Sequence, residues 1–270
     1  MILLALIEDT VRDALAKKTI IGFFSISTFF LLIALLVALT SNPEAILSSG
    51  RKNVDSIDPH KMMEIMQAGL TGLLHFGALL LSVFATASIM PSTMEKGAID
   101  LLLSKPVSRA QIIHGRFLGG CIIVLANVAY YVIGMWLILS LTSGYWNVQF
   151  LAVIPLVTYS FLVLFTAIMA IGIASGSSAL TIIILYVFIY FVSPLLQNRE
   201  VILYGVLQNE TAQAVISGVY YALPKPGAIS SIASAVVMHQ PFDAMPLWSS
   251  ALFGVVCYGL ALHLFRSKDF

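Results

Sequence analysis

The residues of this chain whose types could do chemistry are few, and most stand alone. His60, Met62, Met63 and Met66 set an imidazole and soft sulfur atoms about one helical turn apart. Such a set can hold copper(I), or form the apolar face of a helix leading into a membrane. Ile173-Ala174-Ser175-Gly176 comes nearest to an intramembrane serine nucleophile, but the glycine two places before the serine is missing and no base is indicated. No G-x-x-x-x-G-K-[ST] loop occurs, so the chain has no ordinary means of cradling ATP. Cys121 and Cys257 fall inside apolar runs, where a buried free thiol is the expected state.

One stretch is richer. Met94 to Arg116, MEKGAIDLLLSKPVSRAQIIHGR, carries acid, base, glycine and proline between two long apolar runs. Ser92-x-x-Glu95 follows Pro91 and Ser108-x-x-Gln111 follows Pro106, each with the spacing of a reciprocal helix cap. These signals predict a short helix from about Thr93 to Ser104, a break at Lys105-Pro106, and a second helix starting near Arg109. On the first, Ile99, Leu102 and Leu103 share one face, leaving Glu95, Lys96 and Asp100 for water or a partner.

The elements that must position this stretch follow from composition. The chain is 59% hydrophobic and 10% charged over 270 residues, against about 25% charged in soluble domains. A soluble globule is excluded, and a net charge of +1 gives no field for nucleic acid. Leu3, Leu4, Ile7, Val11 and Leu15 recur at helical spacing opposite Glu8, Asp9, Arg12, Asp13 and Lys17, which predicts an amphipathic helix over 1–18 lying in the membrane interface. The apolar run 19–40 is too long for a signal-peptide core and no clear cleavage site follows it, so it reads as a first span. Runs at 69–90, 117–140, 150–174, 178–197 and 247–265 are each long enough to cross an apolar layer of about 30 Å. The fold class expected is therefore an all-α integral membrane protein with six transmembrane helices in one domain, 1–270.

With both termini on one side, that side holds nine of the fourteen Lys and Arg residues, and the other holds Arg51, Lys52, Lys61, Arg199 and Lys225. The basic bias places the termini and the 94–116 segment in the cytoplasm. Outside lie loops at about 41–68 and 198–246. The second holds two weakly apolar stretches, Ala212 to Leu223 and Ile229 to His239, too short to span and expected as a re-entrant or surface-lying helix pair. No Asp, Glu, Lys or Arg falls within the six runs, which argues against an ion-driven carrier. His75, Asn127, His263 and the tyrosines 130, 131, 159, 186 and 190 could line a path or bond a neighbouring helix. His75, Asn127 and Tyr131 are the candidates for contact with a cargo. Gly115-x-x-x-Gly119 and Gly172-x-x-x-Gly176 have the spacing that lets helices approach closely.

Glu95-Lys96-Gly97, then Ile99-Asp100-Leu101-Leu102-Leu103-Ser104-Lys105-Pro106-Val107-Ser108-Arg109, resembles the cytoplasmic coupling segment of type-2 ATP-binding-cassette permeases. Ala98-Ile99-Asp100 stands where that family usually carries Thr-Leu-Glu. The amphipathic N-terminal helix and the final span agree in position, although only about 20 residues carry a motif. The resemblance implies a coupling helix between spans 2 and 3, pairing with a second permease copy or a homologue, and a separate ATPase that holds ATP and magnesium while this chain binds no cofactor. It implies that Glu95, Lys96, Asp100, Lys105 and Arg109 make polar contacts at that ATPase, with Gly97 in the same interface and Ile99, Leu102 and Leu103 seating the helix. A cell (inner) membrane location and an exporter's role follow from it. The alternative is a non-transporting membrane subunit that relays ATPase motion to an extracytoplasmic accessory protein.

Overall fold

In hydrocarbon every backbone N–H and C=O must be satisfied within the chain, so long apolar runs become helices. The computed structural model describes residues 2–16, 18–40, 59–104, 107–204 and 209–268. Among them there is helix but no strand. Six helical segments are long and apolar enough to cross a membrane: Thr19–Thr40, His60–Thr93, Arg109–Ser143, Val148–Ser175, Ser178–Gln197 and Met245–Ser267. The six expected runs and these helices coincide.

In chain order, α1 is Ile2–Ala16 and α2 is Thr19–Thr40. Then come α3, Pro59–Thr86, α4, Ile89–Thr93, and α5, Ala98–Leu103. Helix α6 is Arg109–Ser143, and α7, Val153–Ser175, follows a single 3-10 turn at Val148–Ala152. The fifth span is α8, Ser178–Val187, continued through a π turn at Phe188–Val192 into α9, Ser193–Gln197. After it come α10, Arg199–Ile202, α11, Glu210–Ala222, and α12, Pro226–Val237. The last span is α13, Met245–Ser267.

Helix α7 is the centre of the bundle, packed against α13, α6, α3 and α12. Phe150, just before it, and its own Phe161, Phe165 and Met169 are fully buried. Phe165 stacks between Phe117 and Phe161 at 5.6 and 5.1 Å. The most apolar windows of the second and fourth spans are 61% buried, whereas those of α2 and α13 are 17% buried. Exposed Phe29, Leu32, Leu36, Val255 and Val256 on those outer helices therefore face lipid or another chain.

The two weakly apolar stretches after the fifth span lie on α11 and α12, which have unequal roles. Helix α11 buries no residue, while α12 buries Ile229, Ile232, Ala233 and Val237 against α3 and α7. Ser234 donates to the Ala68 carbonyl at 3.0 Å. At that end Asn147 donates to Gln67 Oε1 at 2.8 Å and to the Val237 carbonyl at 3.0 Å. The loop 41–68 falls outside the described residues up to 58, and its remainder is the start of α3.

Candidate functional site

The segment between the second and third spans is built differently from its sequence signals. Ser92 and Thr93 donate to the Ile89 carbonyl at 3.3 and 2.6 Å, so they finish α4 and do not cap a new helix. The expected helix over Thr93–Ser104 therefore starts later, at Ala98. Gly97, at φ +90, takes the left-handed turn between the two, a conformation that disfavours any side chain. Asp100 accepts from the Gly97 N–H at 3.3 Å, so the cap that Glu95 was expected to supply comes from Asp100. The second signal holds: Ser108 and Gln111 form a complete capping box, and α6 begins at Arg109.

Within α5, Ile99 is 3% exposed and belongs to the chain's own core. It anchors the short helix from inside. Glu95, Lys96, Gly97 and Asp100 are exposed in a row at the end of the bundle. Leu102 and Leu103 lie on α5, and Lys105 falls outside the described residues.

Arg109 turns inward as well. Its guanidinium donates to the carbonyls of Arg266 at 2.9 Å and Lys268 at 2.6 Å, closing the C-terminus of α13. Lys268 Nζ in turn donates to the Ile173 carbonyl at 2.7 Å, in the last turn of α7. Beside Ile173, Gly176 ends that helix at φ +66, so the second glycine pair contributes a cap at Gly176 and a close approach only at Gly172, against Pro91.

Arg116 is the strongest polar tie at this end. Its side chain is 8% exposed and meets Asp9 at 3.0 Å and Asp13 at 4.0 Å. It also donates to Thr10 Oγ1 at 3.3 Å. A Cβ on Gly115 would lie 2.5 Å from Leu6 Cβ, and one on Gly119 2.6 Å from Thr10 Cβ. The Gly115/Gly119 face is thus the seat of α1. It receives Leu6 and Thr10, leaving Leu3, Leu4 and Leu15 exposed for the membrane interface.

Inside the bundle, Gln67, Thr71, His75, Ser82 and Thr86 on α3 are all at most 1% exposed and recur mostly four residues apart. Thr71 and Thr86 donate to their own helix at Gln67 O and Ser82 O. Gln67 Nε2, both ring nitrogens of His75 and Ser82 Oγ make no hydrogen bond of good geometry. The Pro226 carbonyl of α12 lies near the His75 ring. Asn127 faces α2, accepting from Ser27 at 2.9 Å, and Tyr131 packs half-buried against the core. His75 and Asn127 thus meet different helices. Tyr186 and Tyr190 donate to Leu80 O and Phe76 O, and Tyr159 to Leu247 O, so these three bind helices together. Of the His60/methionine set, Met63 is buried and His60 lies 5.0 Å from the Tyr145 ring.

Among the described residues, an all-helical bundle with six membrane-length helices, a docked amphipathic helix and a short helix between the second and third spans defines a multi-pass membrane protein. The chain belongs to the ABC-2 family of transporter proteins, whose model matches residues 4–269. It is a permease-type membrane transporter subunit. No curated protein matches it.

Proposed function

We propose that this chain is the membrane half of an exporter driven by ATP that a separate nucleotide-binding subunit hydrolyses, with two permeases forming the assembly. The observation that carries the reading is the exposed row Glu95, Lys96, Gly97 and Asp100, held at the end of the bundle by buried Ile99 and the left-handed Gly97. A rigid, charged knob continuous with a span can transmit force, whereas a loose loop cannot. The exposed face of α2 supplies apolar surface for lipid and for a second permease. Purified alone, the chain is expected to hydrolyse no ATP, and activity is expected to appear only on adding its ATPase. Phosphate release by the pure chain would overturn the division of labour.

Orientation is proposed from the basic bias, with both termini and the 94–104 segment cytoplasmic. In a chain carrying Cys121→Ser and Cys257→Ser, Thr211→Cys is expected to react with an impermeant thiol reagent on intact cells, and Lys96→Cys is not. Labelling at position 96 from outside would reverse the assignment.

A second reading is favoured by α3. The second span runs almost unbroken from His60 to Thr93, joining the outer Glu64–Tyr145 hydrogen bond of 2.7 Å to the coupling segment. Such a rod can relay motion to an extracytoplasmic partner without moving cargo. Substrate counted across a vesicle wall per ATP hydrolysed separates the two readings.

A further inference from the structure

At the outer end of the fifth span two cations converge on one ring. The Arg199 guanidinium carbon lies 4.0 Å from the Tyr220 ring centroid, and Lys225 Nζ lies 4.7 Å from the same centroid. Lys225 is 3% exposed, and its ammonium meets only neutral oxygens: Ser249 Oγ at 2.7 Å, Leu223 O at 3.1 Å and Tyr221 O at 3.4 Å. Burial, and then the charge of Arg199, pull its pKa down to about 8.

The Arg199 side chain is 12% exposed, and its enclosed Nε has no partner. Its remaining bonds are long, to Leu196 O and Glu200 Oε1 at 3.4 Å each. Among the described residues Glu200 is the one carboxylate paired with either cation, and it is 73% exposed. Two desolvated like charges are therefore held together with one exposed carboxylate as counter-charge among the described residues, an arrangement that an anion would stabilise.

The surroundings say which kind of anion. The cleft beside the ring, lined by Ser193, Gln197, Tyr220, Pro224, Lys225 and Ala228 among others, has a volume of only about 10 Å³, room for about one water, so an anion must meet this cluster from its surface on the Arg199 side. Lys225 is also the N-cap of α12, so the positive end of a 12-residue helix borders it. Tyr190 is level with Phe76 through its hydrogen bond, and Gln197 lies two turns further on, about 10 Å at 1.5 Å per residue. Around this level Trp248 is 77% exposed, Tyr221 51% and Val215 62%, the mixture of aromatic and apolar side chains that sits among lipid headgroups. We propose that Arg199, Lys225 and Tyr220 bind a phosphate oxyanion here, presented by a membrane lipid headgroup. Arg199 supplies the planar N–H donors that its long bonds leave underused, and Lys225 a second, desolvated charge.

Native mass spectrometry of the full chain released from micelles tests this, with three probes: phosphatidylglycerol, dioleoylglycerol and inorganic phosphate. Phosphatidylglycerol is expected to be retained over dioleoylglycerol, which has no phosphate. The double substitution Arg199→Gln, Lys225→Met is expected to weaken retention at least about tenfold, the scale of losing one charge-assisted bond. Arg199→Lys keeps the charge without the planar fork, so it should bind with intermediate strength and serves where the double variant does not fold. Lipid binding that millimolar inorganic phosphate does not displace supports the headgroup as source. Displacement by inorganic phosphate supports the same oxyanion site with a soluble phosphate as source. Equal retention of the two lipids, or retention unchanged in every variant, overturns the proposal. The side of the membrane rests on the orientation proposed above, but binding is read without ATP or an ATPase, so it fails independently of the transport reading.

Discussion

Replacing Arg116 by methionine is expected to release α1 from the bundle. The side chain is 8% exposed and reaches Asp9, Asp13 and Thr10 from α6, so one residue ties three residues of α1. Breaking a buried ion pair costs about 3–5 kcal/mol when the partner charge stays buried. Here Asp9 and Asp13 are 51% and 38% exposed and can turn to water, which lowers the expected loss to about 2–3 kcal/mol. Gly119→Leu attacks the same seat sterically, since its Cβ would already stand 2.6 Å from Thr10 Cβ, and overpacking of this kind costs about 1–3 kcal/mol. Because both act on one contact, the double variant should lose less than the sum of the singles. Two measurements check this: thermal unfolding in micelles, and trypsin cleavage after Arg12 under native conditions. Both should respond in Arg116→Met and Gly119→Leu. Arg12→Gln should hardly shift unfolding, because it removes only a pair with Glu8 that is 77% and 62% exposed. Unchanged cleavage in Arg116→Met would show that the ion pairs do not hold α1.

The six spans were legible because a bilayer asks for one thing, about 20 apolar residues, and the sequence answers it locally. The Ser108 capping box was legible for the same reason, since Ser108, Gln111 and Pro106 all lie within one turn of the helix start. The Ser92 signal misled because capping needs the preceding chain to leave the helix, and here Ile89–Thr93 stays helical on the buried surface of α7 beside Gly172. Arg109 and Arg116 read as cytoplasmic charges, yet their partners lie at Arg266, Lys268, Asp9 and Asp13, more than 100 residues away. The Gly115/Gly119 spacing was visible, but nothing local says that its partner is the Leu6/Thr10 face of α1 and not another span. The buried polar row on α3 was open to discovery. His75 read alone is ambiguous, whereas Gln67, Thr71, His75, Ser82 and Thr86 together mark one face of one helix.

Two sets of substitutions in the coupling segment should separate its internal anchor from its outward contacts. Ile99→Ala removes a side chain that is 3% exposed, a change that costs about 2–5 kcal/mol in a core. The lower end applies here, because α5 has only six residues and sits at the end of the bundle. The expected result is a helix that no longer holds its position, with ATP hydrolysis in the assembled complex persisting while transport per ATP falls. With Ile99 buried, the proposed contact with an ATPase would rest on the exposed Glu95 and Lys96 together with Leu102 and Leu103. Leu102→Ser with Leu103→Ser removes two apolar side chains, each worth about 1.5–3 kcal/mol if fully buried in a complex. Co-purification with the ATPase should then be lost. Exchanging the two exposed charges, Glu95→Lys with Lys96→Glu, should leave thermal unfolding of the isolated chain unchanged and weaken co-purification more at low salt than at high. Asp100→Asn should act on the Gly97 cap and shift unfolding slightly, by about 1 kcal/mol or less. The decisive comparison is co-purification beside transport for all four variants in the same membranes. If the double serine and charge-exchange variants both co-purify and transport normally, the 94–104 segment is not the coupling element and the proposed mechanism fails with it.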